Sequence, residues 1–280
     1  MKPANDARKP VPTKPGAADD LGRWLTVEVD RDALQANMAV FRGLIDPSVK
    51  LMAVVKANAY GHGLLLASRA FLAGGADVLG VHSLAEAAAL RDGGVTESIL
   101  VLGPADAAEA ARAAELGVEV TVSSLPALRA AAVSGGNLKV HLKVETGVNR
   151  LGLVEYESDE ALTLLADNPA LELAGLSSHF ADVEDTTDHT YAKAQMARFE
   201  AYRSMLTERG HSPLVHMSCS AATLLWDRSH GGMARVGVSA YGLWPSKETQ
   251  VAFGQRGRPE VALRPAVTWK VRISQVRDVP

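Results

Sequence analysis

The distribution of apolar residues divides the beginning of the chain into three segments. Residues 1–22 interleave proline, charge and glycine without an apolar stretch that could dock on a core, which predicts a disordered tail. Residues 24–29 alternate in the manner of a short strand. Asp30 then stands at the N-cap position of a predicted helix. The apolar residues of this helix recur at helical spacing: Leu34, Met38, Phe41 and Ile45.

From Lys50 onward, short aliphatic runs alternate with Ala-rich helical stretches, as parallel strands and crossover helices do. Most runs are apolar throughout, which suits strands buried on both faces. Eight strands are predicted, at residues 51–56, 77–82, 98–103, 118–122, 138–145, 173–180, 214–218 and 233–238. Eight strand–helix repeats predict an α/β fold, a closed (β/α)8 TIM barrel, with an open doubly wound sheet as the alternative.

The alternation stops after the eighth strand. Residues 261–276 resemble strand material with no helix after it, which we interpret as the start of a second, β-rich domain. The early strand at 24–29 can pair with it. The predicted domains are a tail at 1–22, a strand of the β domain at 23–30, the barrel at 31–245 and the first part of the β domain at 246–280.

Composition and charge exclude several classes of protein. The 280 residues are 47% apolar and 22% charged, which excludes collagen and disorder throughout. A net charge of -3 gives no positive field that would hold nucleic acid or an anionic membrane, and no apolar run reaches the roughly 20 residues of a membrane-spanning helix. The single cysteine, Cys219, excludes an internal disulfide and a Cys-rich metal site. Together with the lack of an apolar leader, this predicts a cytoplasmic protein without a metal.

Polar side chains stand at or near the ends of six predicted strands, where TIM-barrel enzymes carry their active sites. Lys56 follows the apolar run LMAVV, and desolvation there lowers the pKa of an amine and favours a neutral nucleophile such as a Schiff-base lysine. A strand-end lysine that reaches solvent is the alternative. The other polar groups at these ends are His82, Lys143, Glu145, Arg150, His179, Ser220 and Arg235.

Most of these groups also have a structural interpretation. Arg235 can be buried against a structural carboxylate, because a buried guanidinium needs acceptors. His82 and His179 can be hydrogen-bonded core histidines, and the charges within residues 141–150 can form a solvated rim. Ser220 can be a plain N-cap.

Backbone groups after the last two strands predict a phosphate site. Loops at this position of a barrel commonly bind phosphate through N–H groups. Ser220 begins the helix after the seventh strand, and Gly237 and Val238 follow the eighth strand in a turn that permits glycine. An N-cap role for Ser220 is compatible with phosphate binding.

Five segments resemble the motifs of bacterial alanine racemases. They follow in the order and spacing of that family: AVVKANAYGHG (53–63), HLKVETGVNRLGL (141–153), SSHFADVED (177–185), HMSCSAATL (216–224) and RVGVSAYGLWPS (235–246). Residues 263–280 are similar to the first part of the family's C-terminal β domain. The resemblance extends from about Trp24 to Pro280, and five ordered motifs are far more specific than one.

The resemblance implies an isomerase that interconverts L-alanine and D-alanine with pyridoxal 5′-phosphate and supplies D-alanine for peptidoglycan. It further implies a homodimer with a small amino-acid substrate. Lys56 would hold the cofactor and exchange the Cα proton on one face. The groups implied for the cofactor phosphate are Tyr60, Ser220, Gly237 and Val238.

The resemblance also assigns the remaining polar groups. Arg235 would donate to the pyridine nitrogen with His179 behind it, Arg150 would lie near the substrate carboxylate, and Lys143 is a position where the family can carry a carbamate. Because arginine stays protonated, the pyridine nitrogen would remain an unprotonated acceptor and the ring a weaker electron sink. That arrangement favours reprotonation of Cα over transamination.

Two departures from the family pattern stand out. Cys219 lies where the family usually has asparagine, which indicates an altered contact beside the phosphate loop or an altered substrate preference. The family's second base is a tyrosine of the C-terminal domain, donated across a dimer interface, and the sequence ends at Pro280 before such a residue. We therefore expect the 280 residues to bind the cofactor and to racemise poorly.

Three other functions fit parts of the sequence. A non-catalytic barrel that binds pyridoxal phosphate would share the lysine motif but leaves Arg150 and residues 261–280 without a purpose. A racemase of broader amino-acid specificity fits all five motifs. A decarboxylase of the same barrel class places an acid at the pyridine nitrogen, where this chain has Arg235.

Overall fold

Eight short aliphatic segments form the parallel strands of a barrel in the computed structural model, which describes residues 24–133, 136–257 and 261–279. The barrel belongs to a compact unit, Val29–Val267. After β1 (Leu25–Val29), the barrel strands are β2 (Lys50–Val54), β3 (Val78–Val81), β4 (Ser98–Val101), β5 (Glu119–Val122), β6 (Leu138–Lys143), β7 (Leu171–Ser177), β8 (Leu214–His216) and β9 (Met233–Val236).

The strands are hydrogen-bonded in the order β8-β7-β6-β5-β4-β3-β2-β9. Gly232, directly before β9, donates its N–H to the carbonyl of Val215 on β8 at 2.9 Å, which joins the two end strands. The carbonyl of Gly232 accepts from Lys50 N–H on β2 at 3.0 Å. The barrel is therefore nearly closed, and the predicted (β/α)8 architecture is confirmed. The open doubly wound sheet is excluded.

Helices connect successive strands. Their bounds are α1 (Arg31–Leu44), α2 (Lys56–Tyr60), α3 (Leu64–Ala73), α4 (Leu84–Asp92), α5 (Ala107–Leu116), α6 (Leu125–Ala132), α7 (Ser158–Asp167), α8 (Thr190–Glu208), α9 (Ser220–Leu225) and α10 (Lys247–Gly254). Reciprocal capping by Ser83 and Glu86 starts α4, and Asp106 and Glu109 start α5 in the same way. None of the described helices combines the length and the apolar character needed to cross a membrane.

The helix α1 begins where the sequence predicts it. The side chain of Asp30 accepts a hydrogen bond of 2.9 Å from Ala33 N–H, and the predicted apolar face of the helix is buried. Asn37 of the same helix is fully buried and donates to the carbonyls of Ala240 and Arg264 at 3.2 and 2.9 Å. This amide fixes the chain that follows β9 against the barrel.

A two-stranded sheet of β1 and β10 (Val267–Val271) accounts for the remaining strands. Residues 24–28 and 268–279 form a small unit of their own, in which Lys270 and Glu28 form an ion pair at 2.5 Å. The observed strand β10 is shorter than the predicted run 261–276. The segment 246–280 also includes the helix α10, capped by Ser246, which the sequence analysis missed. The predicted domain bounds stay a prediction, and the predicted tail at 1–22 lies outside the described residues.

Candidate functional site

A cavity of about 380 Å³ opens at the C-terminal ends of the barrel strands. The strands are parallel, so residues far apart in sequence meet there. The lining includes all the residues to which the sequence analysis gave a role in catalysis or binding: Lys56, Tyr60, Lys143, Arg150, His179, Ser220, Arg235, Gly237 and Val238. His82 and Cys219 line the same cavity. The cavity is therefore the candidate site of the barrel.

Lys56 follows β2 and begins an unusual left-handed turn. The residues after it have φ values of 52–54°: Ala57, Asn58, Ala59 and Tyr60. L-amino acids adopt this conformation at a cost of about 1–2 kcal/mol each, because Cβ approaches the following carbonyl. Asn58 supports the turn by accepting from Leu64 N–H at 2.8 Å through Oδ1 and by donating its own N–H to Glu86 Oε1 at 3.3 Å.

Ser220 connects the loops after β8 and β9. Its Oγ accepts a hydrogen bond of 3.0 Å from Gly237 N–H. The N-cap of α9 is Cys219, and no side chain caps that helix, so the interpretation of Ser220 as an N-cap is wrong. The Ser220 hydroxyl thus forms a hydrogen bond with the loop after β9 rather than with the N-terminus of its own helix.

Gly237 leaves room for Tyr60. A Cβ at this position would lie 2.9 Å from the hydroxyl of Tyr60, so a larger residue would displace that hydroxyl. Val238 begins a short 3-10 turn directly after it. Tyr60, Ser220 and the Gly237–Val238 backbone thus meet at one side of the cavity.

Arg235 is buried, with 8% of its surface exposed, and its guanidinium has several acceptors. Nη1 donates to Nδ1 and to the carbonyl of His216 at 2.7 and 2.8 Å. Nη2 donates to the carbonyls of Ser178 and Met217 at 2.7 and 3.2 Å and to His179 Nδ1 at 3.3 Å. These acceptors are carbonyl oxygens and imidazole nitrogens, so the structural carboxylate considered from the sequence is not what holds Arg235 among the described residues.

The role of His216 is not evident from the sequence. It lies within the HMSCSAATL motif and is the imidazole nearest to Arg235. His141, at the start of the run 141–150 whose charges can form a solvated rim, is itself buried against His216 and Glu119. Strand alternation carries some signal for such inward positions, but no local pattern indicates which inward residues touch.

Positive charge accumulates in the cavity and shifts the pKa of two residues. Burial, followed by the charges of Arg150 and Arg235, lowers the pKa of Lys143 to about 8. Burial and the same cations lower the pKa of His179 to about 3, so its ring is neutral at physiological pH. A cavity of this kind is suited to an anionic ligand.

The loop that carries Arg150 is held by Glu145 on one side and by helix α8 on the other. Burial raises the pKa of Glu145, but hydrogen bonds from the backbone N–H groups of residues 147–150 outweigh it and keep the pKa below its usual value. On the other side, Arg198 of α8 donates to the carbonyl of Thr146 at 2.7 Å and Tyr191 donates to that of Gly147 at 2.8 Å. The loop is therefore anchored between the barrel and a helix.

Gln195 is a further residue that sequence reasoning missed. Its fully buried side chain accepts from Ala181 N–H at 2.9 Å and donates to the carbonyl of His179 at 3.1 Å and to Thr146 Oγ1 at 3.3 Å. One amide thus connects the strand ends that carry His179 and Arg150. A glutamine on an apolar helix face is the only sequence signal for it.

Cys219 lies in the cavity wall beside Ser220. Burial raises the pKa of its thiol to about 11. The thiol is therefore protonated at neutral pH and contributes shape rather than charge to the cavity.

Comparison with known proteins agrees with this geometry. The family model described as the N-terminal domain of alanine racemase matches residues 29–245. The chain is similar to the alanine racemase of Desulfosudis oleivorans (38% identity, 94% of this chain and 68% of the relative) and to that of Methanococcus maripaludis (37% identity, 90% and 67%).

Solved structures give the same result. A structure of alanine racemase from Bacillus anthracis with bound L-Ala-P has a TM-score of 0.81 at 34% identity and covers 88% of this chain and 64% of that one. The chain spans about two thirds of the length of the relatives it matches. The resemblance found in the sequence is confirmed, since the family model covers most of the chain and relatives above 30% identity align over nine tenths of it: the chain belongs to the alanine racemase family.

Proposed function

We propose that this protein interconverts L-alanine and D-alanine by moving the Cα proton, with pyridoxal 5′-phosphate as cofactor. The observation that carries this is the meeting of Lys56, Arg235 and the Ser220–Gly237 pair in one cationic cavity. Family membership supports the reaction. We further propose that the protein acts as a cytoplasmic homodimer and that its D-alanine serves peptidoglycan synthesis.

The residues of the cavity fit pyridoxal phosphate chemically. Lys56 offers the amine that forms the covalent link, and the cations around Lys143 match the negative charge of a phosphate and of a substrate carboxylate. When bound, the cofactor supplies an electron-withdrawing ring that acidifies the Cα–H of an attached amino acid. The phosphate would be held by Tyr60, Ser220, Gly237 and Val238.

The protein's own groups would perform the remaining tasks. The Nζ of Lys56 takes or returns the Cα proton on one face. Arg235 donates to the pyridine nitrogen and keeps its own proton, and its anchoring to carbonyls of Ser178 and Met217 fixes its direction. Arg150 attracts the substrate carboxylate from its anchored loop, and neutral His179 supports Arg235.

Lys143 is proposed to be carboxylated. Its lowered pKa of about 8 leaves a substantial neutral fraction of the amine, which is the form that reacts with CO₂. The resulting carbamate is an anion, so it would reverse the repulsion among Lys143, Arg150 and Arg235 and orient Arg150. Mass spectrometry of the native protein, in buffer with and without bicarbonate, tests the modification.

Covalent binding at Lys56 is tested by reconstituting the chain with pyridoxal phosphate, reducing with borohydride and mapping the labelled peptide. We expect label on Lys56 and a visible absorption band that Lys56→Met abolishes. Lys50→Met, at the exposed start of the same strand, is the matched control and should retain both. Label on another lysine would overturn the proposal.

Racemisation is tested by a coupled assay of L-alanine formed from D-alanine. The assay compares residues 1–280 with the same residues extended by a β domain. Covalent labelling without racemisation by either chain would favour the non-catalytic cofactor-binding barrel. Faster turnover of serine or a basic amino acid would favour the broader racemase.

A further inference from the structure

A line of four side chains leads from the cavity into the buried interior of the barrel. Arg235 Nη1 lies 2.7 Å from His216 Nδ1, His216 Nε2 lies 2.8 Å from His141 Nδ1, and His141 Nε2 lies 2.6 Å from Glu119 Oε2. Both histidines are 1% exposed. The line joins a buried guanidinium on β9 to a carboxylate at the start of β5.

The direction of every hydrogen bond in this line follows from its two ends. Arginine can only donate, so His216 Nδ1 is unprotonated and its proton lies on Nε2. That proton is donated to His141 Nδ1, which places the proton of His141 on Nε2, where it is donated to the Glu119 carboxylate. Each ring is therefore held as a single neutral tautomer.

The charge states agree with this direction. Burial, followed by the charge of Arg235, lowers the pKa of His216 well below its usual value. Burial raises the pKa of Glu119, but the hydrogen bond from His141, together with the charges of Lys139 and Lys50, lowers it on balance. Glu119 is thus an anion at neutral pH and His216 is uncharged.

The barrel wall is shaped to admit His141. The pairing of β6 with β7 shifts register between Val140 and His141, which is a bulge at this residue. Opposite the ring, β7 carries Gly175, and a Cβ at that position would overlap the imidazole of His141. The bulge in β6 and the glycine in β7 together make room for the buried side chain of His141.

Among the residues that the structure describes, the acceptors that bind Arg235 directly are all neutral groups. A buried cation is stabilised when negative charge is connected to it, and the two imidazoles make that connection to Glu119. We propose that Glu119 and His141 are positioning residues that act through His216 to hold the Arg235 guanidinium charged and directed at the pyridine nitrogen of the cofactor. The role of these residues toward the cofactor rests on the proposed function. The line of hydrogen bonds itself is independent of that function.

The test compares Glu119→Gln, which removes the charge and keeps the shape, with Glu172→Gln on β7. Glu172 is the matched control because it is exposed and pairs with Lys139 outside the line. Dissociation constants are measured for pyridoxal phosphate and for 1-deazapyridoxal phosphate, which has carbon in place of the ring nitrogen. Glu119→Gln should weaken pyridoxal phosphate binding by about tenfold, as expected for one weakened hydrogen bond to a charged group, and leave the deaza analogue unchanged.

If Glu119 has a merely structural role, Glu119→Gln weakens the binding of both ligands equally, and that result overturns the proposal. Unchanged binding of both ligands overturns it as well. NMR of ¹⁵N-histidine-labelled protein without cofactor provides a second readout. The ring protons of His141 and His216 should move upfield in Glu119→Gln and stay in place in Glu172→Gln. If Glu119→Gln does not fold, the dissociation constants of the same two ligands are measured for His141→Gln instead.

A failure of the proposed function appears differently. Absence of cofactor binding by the unmodified chain, or label on a lysine other than Lys56, would contradict the cofactor role. The upfield shifts in the cofactor-free protein would still be present in that case. Unchanged ring protons in Glu119→Gln would contradict the line itself.

Discussion

Ser220 Oγ accepts the backbone N–H of Gly237 at 3.0 Å, which joins the loops after β8 and β9 at the edge of the cavity. Serine is needed here because its hydroxyl can accept from the amide and also donate to an oxyanion. We expect Ser220→Ala to weaken pyridoxal phosphate binding by about tenfold through the lost hydrogen bond to charge. Spectrophotometric titration of the chain with cofactor measures this effect.

The matched control for that change is Ser239→Ala. Ser239 is also buried and lies just after the same loop, but its hydroxyl has no hydrogen-bond partner among the described residues. Its loss should leave cofactor affinity within about twofold of the starting value. Equal weakening by the two substitutions would contradict a specific role for Ser220.

Lys143 predicts a pH dependence of stability. Its pKa falls from 10.5 in an unfolded chain to about 8 in the folded protein. Between these values the unfolded chain binds more protons, so the free energy of unfolding should rise with pH; below about pH 8 the cost of the buried charge is fully present. Urea unfolding in CO₂-free buffer should show the free energy of unfolding of the chain rising relative to that of Lys143→Met from pH 8 to pH 9.5. Parallel pH profiles for the two proteins would contradict the lowered pKa.

We expect substitution of Gln195 to lower the stability of the folded protein. Gln195→Met retains the volume but removes the partner of the His179 carbonyl and of the Ala181 N–H, both of which are partly buried, while Thr146 keeps its hydrogen bond with Ser178. We expect a decrease of about 1–3 kcal/mol in the free energy of unfolding, since unsatisfied buried groups bear the full desolvation penalty. Gln250→Met, on an exposed face of α10, should change it by less than about 0.5 kcal/mol. A decrease no larger than that of Gln250→Met would refute the role of the amide.

We expect the Cys219 thiol to react slowly with a thiol reagent in the folded protein. A pKa of about 11 leaves about 100-fold less thiolate than the usual value near 9 does. Because it is the single cysteine, Ellman's reagent at pH 8 reports on this thiol alone. The native chain should react at least about 100-fold more slowly than the chain in guanidinium chloride. Similar rates in both conditions would show that the thiol is exposed and ionisable.

Much of the fold follows from the sequence because buried parallel strands are apolar along their whole length. The predicted run 98–103 overlaps the observed Ser98–Val101, and 233–238 overlaps Met233–Val236. The side chains at the strand ends, among them Lys56 and Arg235, were identified for the same reason: a polar residue at the end of an apolar run is conspicuous.

Other features were not accessible from the sequence. The partner of Ser220 is a backbone N–H on a different strand, and a propensity for N-caps cannot indicate it. The left-handed turn after Lys56 contains no glycine, so no turn rule predicts it. The helix α10 lies in a segment whose neighbours resemble strands.

By itself the sequence determined the order of strands and helices and which chemical groups stand at the strand ends, because both depend on residues close together in the chain. The tertiary structure decided which groups touch. The tautomers of His141 and His216, the pKa of Lys143 and the acceptors of Arg235 depend on distances between residues on different strands. Electrostatic and hydrogen-bond energies vary steeply with such distances, and only closure of the barrel sets them.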